Sequence, residues 1–92
     1  MATAILAVGA TALDSPDVPV VAGTPLTVAL KNTAAAVPAD ATVDILLKDD
    51  AGFYNAVYRL TGEHGRSSVM ISAPGTYLFR RLAGATCGVF SG

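Results

Sequence analysis

Tryptophan is absent, histidine and cysteine occur once each, and only 14% of the 92 residues are charged. Each shortage removes a class of chemistry. A single thiol, Cys87, cannot form an intrachain disulfide, so nothing points to an oxidising compartment and a free buried thiol is expected. Paired cysteines and histidines at zinc-type spacing are missing, as are a phosphate-cradling glycine loop and a basic-aromatic nucleic-acid motif. The lone His64 would have to serve any Ser-His-Asp or Cys-His arrangement. It lies between Gly62 and Gly65, where a loop tip offers an imidazole no rigid orienting partner, and it is read as an exposed loop residue. No uncharged run reaches the roughly 18 to 20 apolar residues that span a bilayer. The opening MATAILAVGATAL lacks a basic n-region and is read as mature protein rather than a signal peptide. No catalytic residue, cofactor or metal site is expected, and the chain is read as non-enzymatic.

What the chain has in quantity is apolar surface: 52% of its residues are hydrophobic, against about 25% charged in a typical soluble domain where this one has far fewer. Seventeen of the 48 hydrophobic residues are alanine, which moderates the excess. The remaining 31 still exceed what a two-layer core of this size shelters easily. A folded chain of 9.3 kDa is expected to expose roughly 5,000 Å² of about 13,500 Å² when unfolded, so it buries little more than 60% of its surface. Some apolar area is therefore expected to meet another chain.

The net charge of −1 argues against direct nucleic-acid binding, which rests on several cations along the phosphates. The charge is polarised along the chain. Residues 1–47 set Lys31 against Asp14, Asp17, Asp40 and Asp44, whereas residues 48–92 set Lys48, Arg59, Arg66, Arg80 and Arg81 against Asp49, Asp50 and Glu63. Such asymmetry suits head-to-tail packing of copies, unless folding intermixes the two halves.

Five prolines and nine glycines punctuate short apolar segments, leaving no capped helix of ten or more residues. Strands fit the pattern instead. Residues 42–48 alternate, with Val43, Ile45 and Leu47 on one face and Asp44, Leu46 and Lys48 on the other. Asp49, Asp50, Ala51 and Gly52 have turn chemistry, so residues 53–60 are expected to return as a hairpin. There, Tyr54, Ala56, Tyr58 and Leu60 are placed on one side and Phe53, Asn55, Val57 and Arg59 on the other, which predicts a strand covered on both faces. Asp49 and Asp50 are read as turn residues, because neither an EF-hand pattern nor a nearby third carboxylate accompanies them.

Further strands are expected at 67–72, with Val69 and Ile71 inward, and at 76–82 and 86–91, the last two paired with each other through Ala83, Gly84 and Ala85. The first half offers 25–31, with Leu26, Val28 and Leu30 on one face, and the less regular 3–8 and 18–22. Pro19 demotes the latter to an edge. Residues 32–41 are read as a loop. Seven or eight short strands describe a single antiparallel β-sandwich domain over residues 1–92, with an immunoglobulin-like arrangement or a partly open barrel as alternatives.

Arg80 and Arg81 are adjacent on a strand and must point to opposite faces. Arginine is enriched at interfaces, so both are placed on a candidate partner surface together with Tyr54 and Tyr58. Tyr77 and Phe79 extend the same candidate partner-facing stripe, although core packing is the expected use of most of these four aromatics.

The stretches VDILLKDDAGFYNAVYRL, SSVMISAPGTYLFRRLAG and CGVFS together resemble the small β-sandwich virion proteins of tailed bacteriophages, the capsid decoration or cement proteins in particular. The shared feature is a meander in which a Pro-Gly-Thr-Tyr turn leads into the penultimate strand and the chain ends on a short final strand. The resemblance covers about half the sequence and transfers no binding residues. It implies a structural virion protein, made in the host cytoplasm without a leader. Such a protein forms a homo-oligomer, a trimer being one arrangement, and binds the major capsid protein lattice or another virion protein, with no membrane partner. A tail or head-fibre protein, and a monomeric carbohydrate- or receptor-binding module, are the competing expectations.

Overall fold

The computed structural model describes residues 3–32, 37–63 and 67–91. His64 and Arg66, and part of the 32–41 loop, lie outside them. Among the described residues nine strands form: β1 (Thr3–Gly9), β2 (Leu13–Asp14), β3 (Val18–Val20), β4 (Leu26–Lys31), β5 (Thr42–Lys48), β6 (Tyr54–Thr61), β7 (Ser68–Ile71), β8 (Gly75–Arg81) and β9 (Cys87–Ser91). A four-stranded sheet runs β1-β9-β4-β7, and a five-stranded sheet runs β2-β8-β5-β6 with β3 also paired to β8. All described pairings are antiparallel. The protein is a small β-sandwich, as its alternating apolar segments predict.

The core between the sheets follows that alternation. Val43 and Ile45 of β5, Val28 and Leu30 of β4, Leu60 of β6, Ile71 of β7, Tyr77 and Phe79 of β8, and Cys87 and Val89 of β9 point inward and pack together, with Val69 and Leu26 partly buried against them. The Tyr77 hydroxyl donates to the Ala73 carbonyl at 2.9 Å, which satisfies the polar end of an otherwise apolar ring. Burial pushes the Cys87 thiol up from its ordinary pKa, with nearby Arg81 pulling the other way.

The β5–β6 hairpin forms where the turn residues place it. Gly52 adopts φ 88°, a region that favours glycine. The Asp49 carboxylate accepts from the N–H groups of Ala51 and Phe53, each at 2.9 Å, and from the Asn55 amide at 3.0 Å. The Phe53 bond leads in holding this carboxyl below its usual pKa, so the side chain closes the turn.

Two expectations are corrected. Residues 76–82 and 86–91 do not pair: β8 belongs to the five-stranded sheet and β9 lies between β1 and β4 in the other. After β8, the N–H of Leu82 bonds the Thr42 carbonyl and that of Gly84 bonds the Ala10 carbonyl, at 3.1 and 3.0 Å, which carries the chain across the sandwich instead of back along its own sheet. This crossing also departs from the immunoglobulin arrangement, whose last two strands are sheet neighbours. The second correction concerns β6, whose residues 55–59 are exposed rather than covered twice. A bulge between Ile45 and Leu46 leaves Val57 without a register partner and switches the alternation. Tyr58 and Leu60 stand opposite inward-facing Ile45 and Val43, while Tyr54, Ala56 and Arg59 stand opposite the outward residues Lys48, Leu46 and Asp44.

The segment between β2 and β3 completes the edge of β8 in an irregular way. Pro16 and Pro19 cannot donate to a ladder, and β3 is an edge strand as Pro19 predicts. Ser15 bridges the interruption: its N–H donates to the Phe79 carbonyl at 2.8 Å, and its hydroxyl accepts from the Phe79 N–H at 3.0 Å while donating to the Pro16 carbonyl at 2.8 Å. Ser15→Ala leaves the Phe79 N–H buried and unpaired, a loss of about 1–3 kcal/mol that urea unfolding followed by circular dichroism is expected to register.

Candidate interaction surface

The outward face of the five-stranded sheet carries a set of charged side chains arranged by strand register. Asp14 of β2 stands opposite Arg80 of β8, Arg80 opposite Asp44 of β5, and Asp44 opposite Arg59 of β6. The result is one row of alternating sign across four strands. Arg80 Nε lies 2.8 Å from Asp14 Oδ1 and Nη2 3.3 Å from Oδ2. Arg59 Nε lies 2.7 Å from Asp44 Oδ1 and Nη2 3.3 Å from Oδ2. Both guanidiniums make two-pronged contacts, and the hydrogen bonds with their carboxylates raise both pKa values above the ordinary arginine value. The Asp44 side chain is 17% exposed, whereas those of Arg59 and Asp14 at the row's ends are 59% and 49% exposed.

Beside this row, Leu46 and Leu78 face each other across β5 and β8. They are buried, although they belong to the outer face and not to the core cluster. Long charged side chains cover apolar surface with their stems, and these leucines lie between the ion-pair row and a second polar group. There the Tyr54 hydroxyl donates to Asp17 Oδ1 at 2.7 Å, Lys48 Nζ is 3.9 Å from Asp17 Oδ2, and the Lys48 ammonium stands 5.8 Å from the centre of the Tyr54 ring. The hydrogen bond to Asp17 is the leading cause of an upward shift in the Tyr54 pKa.

Of the four residues placed on the candidate surface from sequence, Tyr54, Tyr58 and Arg80 reach the exterior. Tyr54 is half-buried under its bond to Asp17, and Arg80 sits inside the charged row. Arg81 is turned inward and only 2% exposed. Its Nε donates to the Thr11 carbonyl at 2.7 Å and its Nη1 to the carbonyls of Ala7 and Cys87 at 2.7 and 2.9 Å. It is a structural cation that ties β1 and β9 to β8.

Phe53, just before β6, and Val57, at its bulge, are 70% and 52% exposed although the sequence reading covered that side of the strand, and Tyr58 is 44% exposed. On the opposite side of the sheet, Leu13 and Leu82 are also exposed, and they border a shallow depression of about 520 Å³ lined as well by Ala12, Asp14, Arg80, Arg81 and Ala83. Val21 and Met70 are exposed elsewhere, and isolated exposed apolar residues are ordinary on protein surfaces.

Comparison of the chain with protein-family models, curated proteins and solved structures returned no match.

Proposed function

We propose that this chain is a structural assembly subunit that binds copies of itself and a larger protein lattice, in the manner of the capsid decoration proteins that its second half resembles. One observation carries the reading: the free edge strand β6 exposes Val57 and Tyr58, and Phe53 is exposed in the turn that leads into it. A chain of this size does not bring such side chains to one edge for the sake of its own core, which is complete without them. The accessible surface of 5268 Å² is close to that expected for a lone folded chain of this mass.

Sedimentation velocity over a wide concentration range tests self-association. The weight-average sedimentation coefficient is expected to rise with concentration, and Val57→Lys is expected to shift the transition at least tenfold upward in concentration while leaving the thermal unfolding midpoint nearly unchanged. A wild-type chain that stays monomeric throughout overturns self-association. Binding to a shell is tested by co-sedimentation with capsids assembled from the major capsid protein of the same genome. Saturable binding supports the virion role, and a chain that stays at the top of the gradient removes it.

A further inference from the structure

Resting on self-association as proposed above, we infer that copies meet head to tail, with the β6 edge of one seated in the depression beside β2 of the next. The two edges of the five-stranded sheet are complementary rather than alike. The charged row ends in Arg59 on β6 and in Asp14 on β2, whose side chains are 59% and 49% exposed, while Arg80 and Asp44 between them are 44% and 17% exposed. Next to Arg59 along β6 stand exposed Tyr58 and Val57. Next to Asp14 the surface is concave and bordered by exposed Leu13 and Leu82. One edge thus offers a cation with apolar neighbours, and the other an anion at the rim of a shallow hollow whose lining mixes Leu13, Leu82 and two alanines with the already paired Arg80 and Arg81. Placing Arg59 of one copy against Asp14 of the next continues the alternation of sign from sheet to sheet.

Two other geometries fit less well. Pairing β6 with β6 about a two-fold axis brings two copies of the same cationic row end to one interface and leaves both Asp14 ends unmet, whereas complementary charge is what fixes register between partners. Main-chain pairing of β6 onto the opposite edge is obstructed, because β2 has two residues, β3 has three, and Pro16 and Pro19 interrupt that edge. The contact is therefore made by side chains. Since the two surfaces differ, the interface is heterologous, the type that closes into rings or extends into arrays.

Charge reversal at each edge tests the geometry. Asp14→Lys and Arg59→Glu are each expected to weaken association at least tenfold, and an equimolar mixture of the two variants is expected to associate better than either alone, because Lys at position 14 meets Glu at position 59 while the remaining native ends meet each other. Asp14→Asn, which removes charge without reversing it, is expected to weaken association several-fold. The Asp14–Arg80 pair is exposed, where such pairs contribute little to stability, whereas Arg59→Glu sets a like charge against the 17% exposed Asp44, and circular dichroism melts verify that both variants fold. If the wild type associates but Asp14→Lys associates equally well, or if mixing restores nothing, the head-to-tail geometry is wrong while self-association stands. A wild-type chain that never associates removes both.

Discussion

Replacing Arg81 with methionine is expected to lower the unfolding free energy by about 3–5 kcal/mol, because three carbonyls lose a charged donor at once and each buried unsatisfied group costs about 1–3 kcal/mol. A domain of this length has a total of about 5–14 kcal/mol, so the variant is expected to lose a large part of its stability. The size of the effect follows from what the guanidinium holds. Three backbone carbonyls, those of Ala7, Thr11 and Cys87, accept from it at 2.7 to 2.9 Å. They come from β1, the turn after it, and β9, which sit in the opposite sheet from β8 or on the path between them. The β1–β9 ladder is irregular between Leu6 and Gly9, and Arg81 takes up a carbonyl within that irregular stretch. Methionine fills some of the volume but leaves these acceptors dry, and a buried unmet polar group carries its own desolvation penalty.

Arg81→Lys separates charge from geometry. An ammonium keeps the cation but lacks the planar fork that reaches several carbonyls at once, so lysine is expected to recover less than half of the loss in urea unfolding. Gly9 is part of the same arrangement, since a Cβ there would stand 2.9 Å from Arg81 Nη2.

Much of the sandwich is legible in the sequence because its strands alternate in the ordinary way. The hairpin turn at Asp49 to Gly52, the inward sets of β4 and β5, and the edge position forced by Pro19 all follow from local chemistry. The charged row was hidden by one residue. Counting back from the turn places Asp44 opposite Tyr58, whereas the bulge at Val57 advances the register and brings Arg59 there instead. Bulges depend on how two strands twist together, and β6 alone carries no mark of it. The crossing from β8 to β9 was hidden for a similar reason: Ala83, Gly84 and Ala85 read equally well as a hairpin, and the bonds to Thr42 and Ala10 that redirect the chain come from residues distant in sequence. Adjacent Arg80 and Arg81 were correctly split between faces by period alone. What the pattern lacked was the cluster of inward-facing carbonyls that makes the buried position suitable for Arg81.

Phe79→Ala is expected to cost about 3–5 kcal/mol, the usual penalty for emptying a buried phenylalanine site. Phe79 is fully buried, stands opposite Ile45 in the middle of the five-stranded sheet, and its backbone is fixed on the other side by both bonds to Ser15. With β8 held at its two edges, the sheet has little freedom to collapse into the space, which places the cost toward the upper end of that range. At about 4–8 °C per kcal/mol for a domain of this size, the thermal midpoint is expected to fall by roughly 12–40 °C. Tyr58→Ala provides the contrast. Its side chain is comparably large but exposed, so the midpoint is expected to move by only a few degrees while self-association weakens. A Phe79→Ala variant that melts within a few degrees of wild type contradicts the packing described for β8. A Tyr58→Ala variant that associates undiminished removes that ring from the contact, so the two measurements distinguish the aromatic that holds the sheets together from the one that faces a neighbouring copy.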